Sequence, residues 1–344
     1  MQEKVTKSER DFSERCRRRI VRCCPKIETL YNHKPRCHGH DEFHSTRGFK
    51  TYMKVYHSFE EAVREIFDGH APMAYPVSGG DINTAYRLAA SGKAIFMKAN
   101  RTEKVSFFDA EARGLNAIAS TGTIRTPEVL GIGTDSLYGA FLLLEWVEGR
   151  PGKDYFETFG QRLASMHLYD PSSFVHGGVF GFETDNYIGA GEQENTPESS
   201  WIAFFRNHRL IPQITKAEAY FDQNDHRNLT YLLDHLDKYL LEPAFPSLLH
   251  GDLWSGNCIT GNDGEAWLID PAVSVGNFEA DLAMTELFGG FPYSFYGAYN
   301  EINPIDQGYR ERRELYNLYH LLNHLKLFGG SYLGAVRQIL QKYT

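Results

Sequence analysis

The hydrophobic pattern of this chain changes period near Glu148-Gly149-Arg150-Pro151, and that change constrains the fold more than any other feature. Upstream, short apolar runs are bounded by turn residues, the pattern of strands. Tyr86-Arg-Leu-Ala89 and Ala94–Ala99 read as strands meeting at Ser91-Gly92, a hairpin turn. Thr126-Pro127 opens another strand region, and Gly139–Trp146 reads as a buried strand. Two helices interrupt them. Ser58-x-x-Glu61 is a capping box ahead of Phe59, Ala62, Val63, Ile66 and Phe67, a helical set that stops at Gly69. Residues 106–120 form the other, ending at Gly122. Downstream the spacing turns helical: residues 154–169 (Phe156, Phe159, Leu163, Met166), 199–241 and 280–342. Between these lie a Gly-rich stretch, 170–198, long enough to suggest a functional or disordered loop, and short strands with loops over 247–270. The pattern predicts an α+β fold with two lobes, a small β-rich one over 53–149 and a larger helical one over 150–344.

Composition narrows the function classes. The longest wholly apolar run, Gly139–Leu144, falls far short of the ~20 residues a membrane helix needs. The chain of 344 residues has 36 Lys and Arg against 44 Asp and Glu, a net charge of −8. Neither a nucleic acid nor a membrane is the expected partner. The average hides an asymmetry: residues 1–52 hold 13 of the bases and 7 of the acids, net +6, which leaves −14 for residues 53–344. Cys16, Cys23, Cys24 and Cys37 also lie in that first stretch. Three readings of it compete. A zinc site would use Cys24, Cys37 and His38 or His40, but the spacing fits no usual CxxC-plus-His frame. Arg17-Arg18-Arg19 could belong to a basic nucleic-acid arm. The preferred reading is a poorly ordered or non-native extension, since regular patterning begins right after Met53. No secretory apolar segment follows the basic residues. The body has one cysteine, Cys258, hence no intrachain disulfide framework, which fits a cytoplasmic setting.

The strongest chemical signal is His250-Gly-Asp-Leu-Trp-Ser-Gly-Asn257, followed by Leu268-Ile-Asp270. Phosphoryl transfer needs a carboxylate for the nucleophile's proton, oxygen ligands that hold Mg²⁺ against the phosphates, and a cation that fixes those phosphates. Asp252 and Asn257 are five apart, as in the HRDxxxxN frame of protein kinases, and Asp270 lies thirteen beyond Asn257, on a strand followed by Pro271. Asp252 reads as catalytic base, and Asn257 and Asp270 as metal ligands. Upstream, Gly79-Gly80 lets backbone approach phosphate, although a glycine pair alone says little. Lys98 ends the apolar strand run Ile95-Phe-Met-Lys98, and Glu111 on the next helix is placed to pair with it. Leu142–Gly149 closes the β-rich lobe where a hinge belongs. The backbone at Glu145, Trp146 and Val147 would hydrogen-bond adenine of ATP there. His167 reads as a core or catalytic-loop support, Asp281 as a bond to catalytic-loop backbone, and Cys258 as a small buried hydrophobe. A catalytically dead nucleotide-binding scaffold would be expected to have lost Lys98, Asp252, Asn257 or Asp270, and all four are present.

From about Ser58 to its end the sequence resembles the fructosamine kinase (ketosamine-3-kinase) family, relatives of the aminoglycoside and choline phosphotransferases. The most specific marks are His250–Asn257, with Trp254 setting it apart from aminoglycoside enzymes, and Gly181-Phe-Glu-Thr-Asp-Asn186-Tyr-Ile-Gly189. Trp201 through Leu210, Phe288-Gly-Gly-Phe-Pro292 and Asn323-His324 through Gly330 add to them. The resemblance implies a protein-kinase-like fold and an ATP- and Mg²⁺-dependent enzyme that phosphorylates the 3-hydroxyl of ketosamines, the adducts that glycation forms on amines such as lysine. The 3-phosphate is then lost with the sugar fragment, which links such enzymes to protein deglycation. It further implies that Trp254 and His324 line the sugar pocket. An aminoglycoside- or choline-type phosphotransferase is the alternative. Many relatives carry a cysteine in the glycine-rich loop, where this chain reads Gly79-Gly80-Asp81-Ile82-Asn83, so redox switching through that loop is not expected.

Overall fold

The computed structural model describes residues 53–78 and 82–344. The readings of residues 1–52 and of Gly79-Gly80 lie outside the described residues. Two compact units emerge. The first runs up to Ala112 and resumes over Pro127–Val147; the second comprises Arg113–Thr126 and Glu148–Thr344.

The first unit is built on a six-stranded sheet of β1 (Val55–Tyr56), β2 (Met73–Val77), β3 (Thr84–Ala90), β4 (Lys93–Asn100), β5 (Val129–Asp135) and β6 (Gly139–Glu145), in the order β1-β5-β6-β4-β3-β2. Only the β1–β5 pairing is parallel. Ser91 and Gly92 turn β3 into β4 with φ of 51° and 80°, the left-handed pair that a two-residue hairpin requires. Helix α1 (Phe59–Ile66) buries Phe59, Ala62 and Val63 against Tyr86, Leu88, Met97, Phe141 and Leu143 of the sheet. Each such large side chain contributes about 1.5–3 kcal/mol by leaving water. Its cap departs from the expected reciprocal box. Ser58 Oγ accepts from Glu61 N–H (3.1 Å), but the Glu61 carboxylate accepts from His57 N–H (2.9 Å), one residue before the cap. Helix α2 (Val105–Ser120) follows β4 and contributes to both units, with Glu111 in the first.

In the second unit α3 (Tyr155–His167) packs on α8 (Tyr293–Ile302). The Gly-rich stretch is not one long loop. It contains a short hairpin, β7 (Asn186–Ile188) with β8 (Gly191–Gln193), tied down by buried side-chain amides. Three-residue strands are too short to show a period, so the sequence hides them. Helices α4 (Trp201–Phe205), α5 (Ile211–Lys216) and α6 (Gln223–Asp234) follow, α4 running into one π-helical turn, Arg206–Leu210. Short strands then frame the chemistry: β9 (Ser247–Leu249) pairs with β12 (Ser274–Gly276), and β10 (Cys258–Thr260) with β11 (Ala266–Leu268). Helices α7 (Glu279–Leu287), α9 (Tyr309–Phe328) and α10 (Leu333–Tyr343) complete the unit. Among the described residues no helix is long and apolar enough to cross a membrane.

Candidate active site

In the first unit, Lys98 on β4 and Glu111 on α2 meet as expected. Lys98 Nζ donates to Glu111 Oε1 at 2.7 Å, and both side chains are about nine-tenths buried. Strand register sets the lysine: Lys98 faces Ala85 on β3 and Leu142 on β6. Breaking a buried pair strands a charge and costs about 3–5 kcal/mol, so the glutamate holds the ammonium in one place. The Glu145 N–H is committed to the sheet, donating to Glu128 O (2.9 Å), and its carboxylate accepts from Glu128 N–H (3.3 Å). The Glu145 side chain is therefore structural. Trp146 and Val147 follow the last strand residue.

In the second unit, the loop after β9 carries His250, Gly251 and Asp252. Gly251 has φ of 81°, and a Cβ there would overlap the Ala272 carbonyl oxygen, so only glycine fits. Asp281, fully buried near the start of α7, accepts from His250 N–H (2.7 Å) and Gly251 N–H (2.8 Å). The sequence led us to expect this bond. Burial alone would raise the Asp281 carboxyl; the hydrogen bond from His167, with the backbone donors, holds it below its ordinary range instead. A relay orients His167. Asn303 Nδ2 donates to Tyr299 Oη (2.9 Å), the Tyr299 hydroxyl to His167 Nδ1 (2.7 Å), and His167 Nε2–H to Asp281 (3.2 Å). His250 is likewise tied down, its Nε2–H donating to Ile269 O (2.9 Å) and its Nδ1 accepting from Asp252 N–H (3.3 Å).

Asn257 Nδ2 donates to Asp252 O (2.8 Å) and Asp252 Oδ2 (3.2 Å). Both amide hydrogens are thus spent on Asp252, which leaves Asn257 Oδ1 as the atom to ligate a cation. Asp252 keeps some exposed surface, yet burial around its carboxyl, reinforced by the Asp270 charge and opposed by Asn257, pushes it up to about 7. Asp270 is not on a strand: β11 ends at Leu268, and Asp270 is exposed with φ of 54°. Pro271 disfavours the right-handed helical conformation at 270, and a left-handed backbone costs a non-glycine residue about 1 kcal/mol, least for Asp and Asn. Among the described residues no group of three or more His, Cys, Asp and Glu could hold a metal. An amide oxygen and one carboxylate are instead an oxygen-only set, and they fit Mg²⁺, which takes one or two protein ligands and completes its shell with phosphates and water.

Trp254 and His324 are joined through the first residue of the Phe288–Pro292 segment, to which the sequence assigns no role. Phe288 sits with its ring centroid 6.2 Å from Trp254 and 5.0 Å from His324. Phe328 and Tyr332 extend the row, each 5.2 Å from His324. His324 Nδ1–H donates to His320 O (2.8 Å), which leaves Nε2 as an acceptor, and burial lowers its pKa, so the ring is neutral at neutral pH. Cys258 is half-buried with Sγ 3.3 Å from Tyr155 Oη; burial pushes the thiol up to about 11, which keeps it protonated and unreactive.

The fructosamine kinase family model matches residues 54–344. The chain belongs to the fructosamine kinase family. It is 42% identical over 269 residues to the "Probable ketoamine kinase" of Synechocystis, covering 77% of this chain and 88% of that one. Its structure is similar to that of the "putative fructosamine-3-kinase" of Thermobifida fusca, with TM-score 0.70 and 34% identity over 82% of this chain and 97% of the other. At 17% identity the likeness is of fold alone: a thermostable variant of an aminoglycoside phosphotransferase, crystallised with AMP-PNP and hygromycin B, aligns with TM-score 0.57 over 83% of this chain and 98% of its own. The fructosamine kinase chain described here therefore has the α+β fold of protein-kinase-like phosphotransferases.

Proposed function

We propose that this chain is an ATP-dependent kinase acting on the 3-hydroxyl of ketosamines, cytoplasmic in setting and linked to deglycation of lysine adducts. The observation that carries the reading is the Asp252–Asn257–Asp281 arrangement, a partly buried carboxylate held by a buried amide and a tethered loop. Asp252 accepts the proton of the attacking hydroxyl as its oxygen bonds to the γ-phosphorus, the β–γ bridging P–O bond breaks, and ADP leaves. Lys98, fixed by Glu111, holds ATP phosphates; backbone at Trp146 and Val147 binds adenine, and Gly79-Gly80 covers phosphate. Asn257 Oδ1 and Asp270 hold Mg²⁺, which when bound offsets the Asp270 charge and screens the charge that develops on the phosphates. Trp254 stacks on the sugar while His324 Nε2 accepts from one of its hydroxyls.

The test is an ATP-consumption screen over fructose, ribulose and erythrulose adducts of lysine, with aminoglycosides and choline as controls. ATP use with ketosamines and none with the controls is expected. Turnover of an aminoglycoside or choline, with ketosamines inert, would overturn the reading in favour of the wider phosphotransferase group.

A further inference from the structure

The segment that carries Asp270 is pinned by groups far from it in sequence. On one side Ile269 N–H donates to Asn257 O (3.1 Å), Ile269 O accepts from His250, and Ala272 N–H donates to His250 O (2.8 Å). These contacts come from the catalytic loop itself. The β7–β8 hairpin supplies a second set of bonds just downstream. Gln193 Nε2 donates to Ala272 O (3.0 Å) and Asn186 Oδ1 (2.8 Å), and Asn186 Nδ2 donates to Val273 O (2.7 Å). Tyr319, on α9, donates its hydroxyl to Gln193 Oε1 (2.6 Å). Asn186, Gln193 and Tyr319 are each over nine-tenths buried. The three side chains form one directional chain, Tyr319 to Gln193 to Asn186, in which both hydrogens of the Gln193 amide are used and its ends are two consecutive carbonyls, Ala272 and Val273.

Asp270 needs that restraint. A left-handed non-glycine residue persists only where its surroundings over-determine it, and Asp270 has φ of 54° just two residues before the first anchored carbonyl. We infer that Asn186, Gln193 and Tyr319 are positioning residues for Asp270. By holding the Ala272 and Val273 carbonyls they fix the direction of its carboxylate, and so set the affinity of the site for Mg²⁺ without touching metal, nucleotide or sugar. The inference rests on Asp270 being a Mg²⁺ ligand. Gln193 is its centre, because it alone joins helix, hairpin and loop.

The experiment measures ATP affinity of the full chain by calorimetry, with and without Mg²⁺. Gln193→Glu keeps the side-chain length and the acceptor for Tyr319, but turns the donor that faces Ala272 O and Asn186 Oδ1 into an oxygen. It is expected to lose about tenfold or more of the Mg²⁺-dependent gain in ATP affinity, the size seen when outer partners of metal ligands are removed, while metal-free ATP affinity stays at the wild-type value. If Gln193→Glu fails to fold, Gln193→Met, which removes the donors without adding charge, carries the same expectation. Tyr319→Phe leaves both carbonyl anchors in place but releases the Gln193 amide that its hydroxyl orients, and should lose a smaller part of the same gain; an undiminished gain removes Tyr319 from the positioning set. A full Mg²⁺ gain in the Gln193 variants overturns the inference, and so does a parallel fall in metal-free affinity, which marks a merely structural role. The underlying assignment fails separately: Asp270→Asn would then keep the wild-type Mg²⁺ gain, or the wild type would show none.

Discussion

Asp281→Asn is the most informative perturbation of the catalytic loop. The carboxylate accepts three hydrogen bonds, from His250 N–H, Gly251 N–H and His167 Nε2–H. An amide of the same shape has one oxygen. The cheaper orientation keeps that oxygen on His250 and His167 and turns an NH₂ group toward the Gly251 N–H. One charge-assisted bond is lost and a buried donor is left facing another donor, at a cost of about 3 kcal/mol. Relief of a buried charge offsets little, because the surroundings hold the Asp281 carboxyl below its ordinary pKa, which means that they favour the ionised form. For a unit of this size the cost corresponds to roughly 6–12 °C in Tm. Gly251 immediately precedes Asp252, and a shift of ~1 Å in a catalytic group can cost ~10²-fold in rate. Scanning calorimetry and steady-state kinetics should therefore show a lower Tm, a kcat down by about 10²-fold, and a KM for ATP near wild type. A variant with wild-type Tm and kcat would falsify the three-acceptor account. One that loses Tm but keeps kcat would show that Asp281 supports the fold and not the position of Asp252.

Other predictions follow from the same geometry. Asp252→Asn should abolish most turnover while nucleotide affinity by calorimetry stays unchanged; a well-populated turnover would remove Asp252 as the base. Glu111→Gln leaves the Lys98 ammonium without its carboxylate and should raise the KM for ATP by about tenfold, the effect of roughly 1.4 kcal/mol of lost positioning; an unchanged KM counts against the pairing. His320 is fully buried, and burial, helped by its neighbour His324, lowers its pKa to about 3. Below its ordinary value of 6.5 the unfolded chain binds a proton that the folded chain refuses, so stability falls as pH drops from 6.5 toward 3, by up to about 1.4 kcal/mol per pH unit from this group. Urea melts over that range should show a shallower acid loss in His320→Asn than in wild type; identical slopes would refute the assignment.

Much of the site was legible because its groups sit at fixed spacings inside short segments. Asp252 and Asn257 share one loop, and the strand lysine and helix glutamate follow each other in the chain. What the sequence concealed is long-range. Nothing at Asn303 or Tyr299 indicates that they orient His167, more than 130 residues upstream, and nothing at Phe288 shows that it joins Trp254 to His324. The apolar neighbours of Asp270 extend the β11 pattern and so suggest a strand there, whereas the backbone reverses hand just before Pro271. The hairpin at Asn186–Gln193 leaves no periodic signal, because side-chain amides hold it in place.

The hairpin's dependence on distant partners also has a consequence for biosynthesis. The carbonyl that Asn186 holds, on Val273, emerges 87 residues later, and the hydroxyl that holds Gln193, on Tyr319, 126 residues later. At about 5–20 residues per second a ribosome needs roughly 6–25 s to deliver that tyrosine. For that interval the nascent chain carries a Gly-rich hairpin whose polar interior has no partners, and the loop that will bear Asp270 is made before the helix that completes its restraint. Slow codons or chaperone occupancy between residues 193 and 319 would therefore bear on the yield of active enzyme more than on the yield of soluble chain.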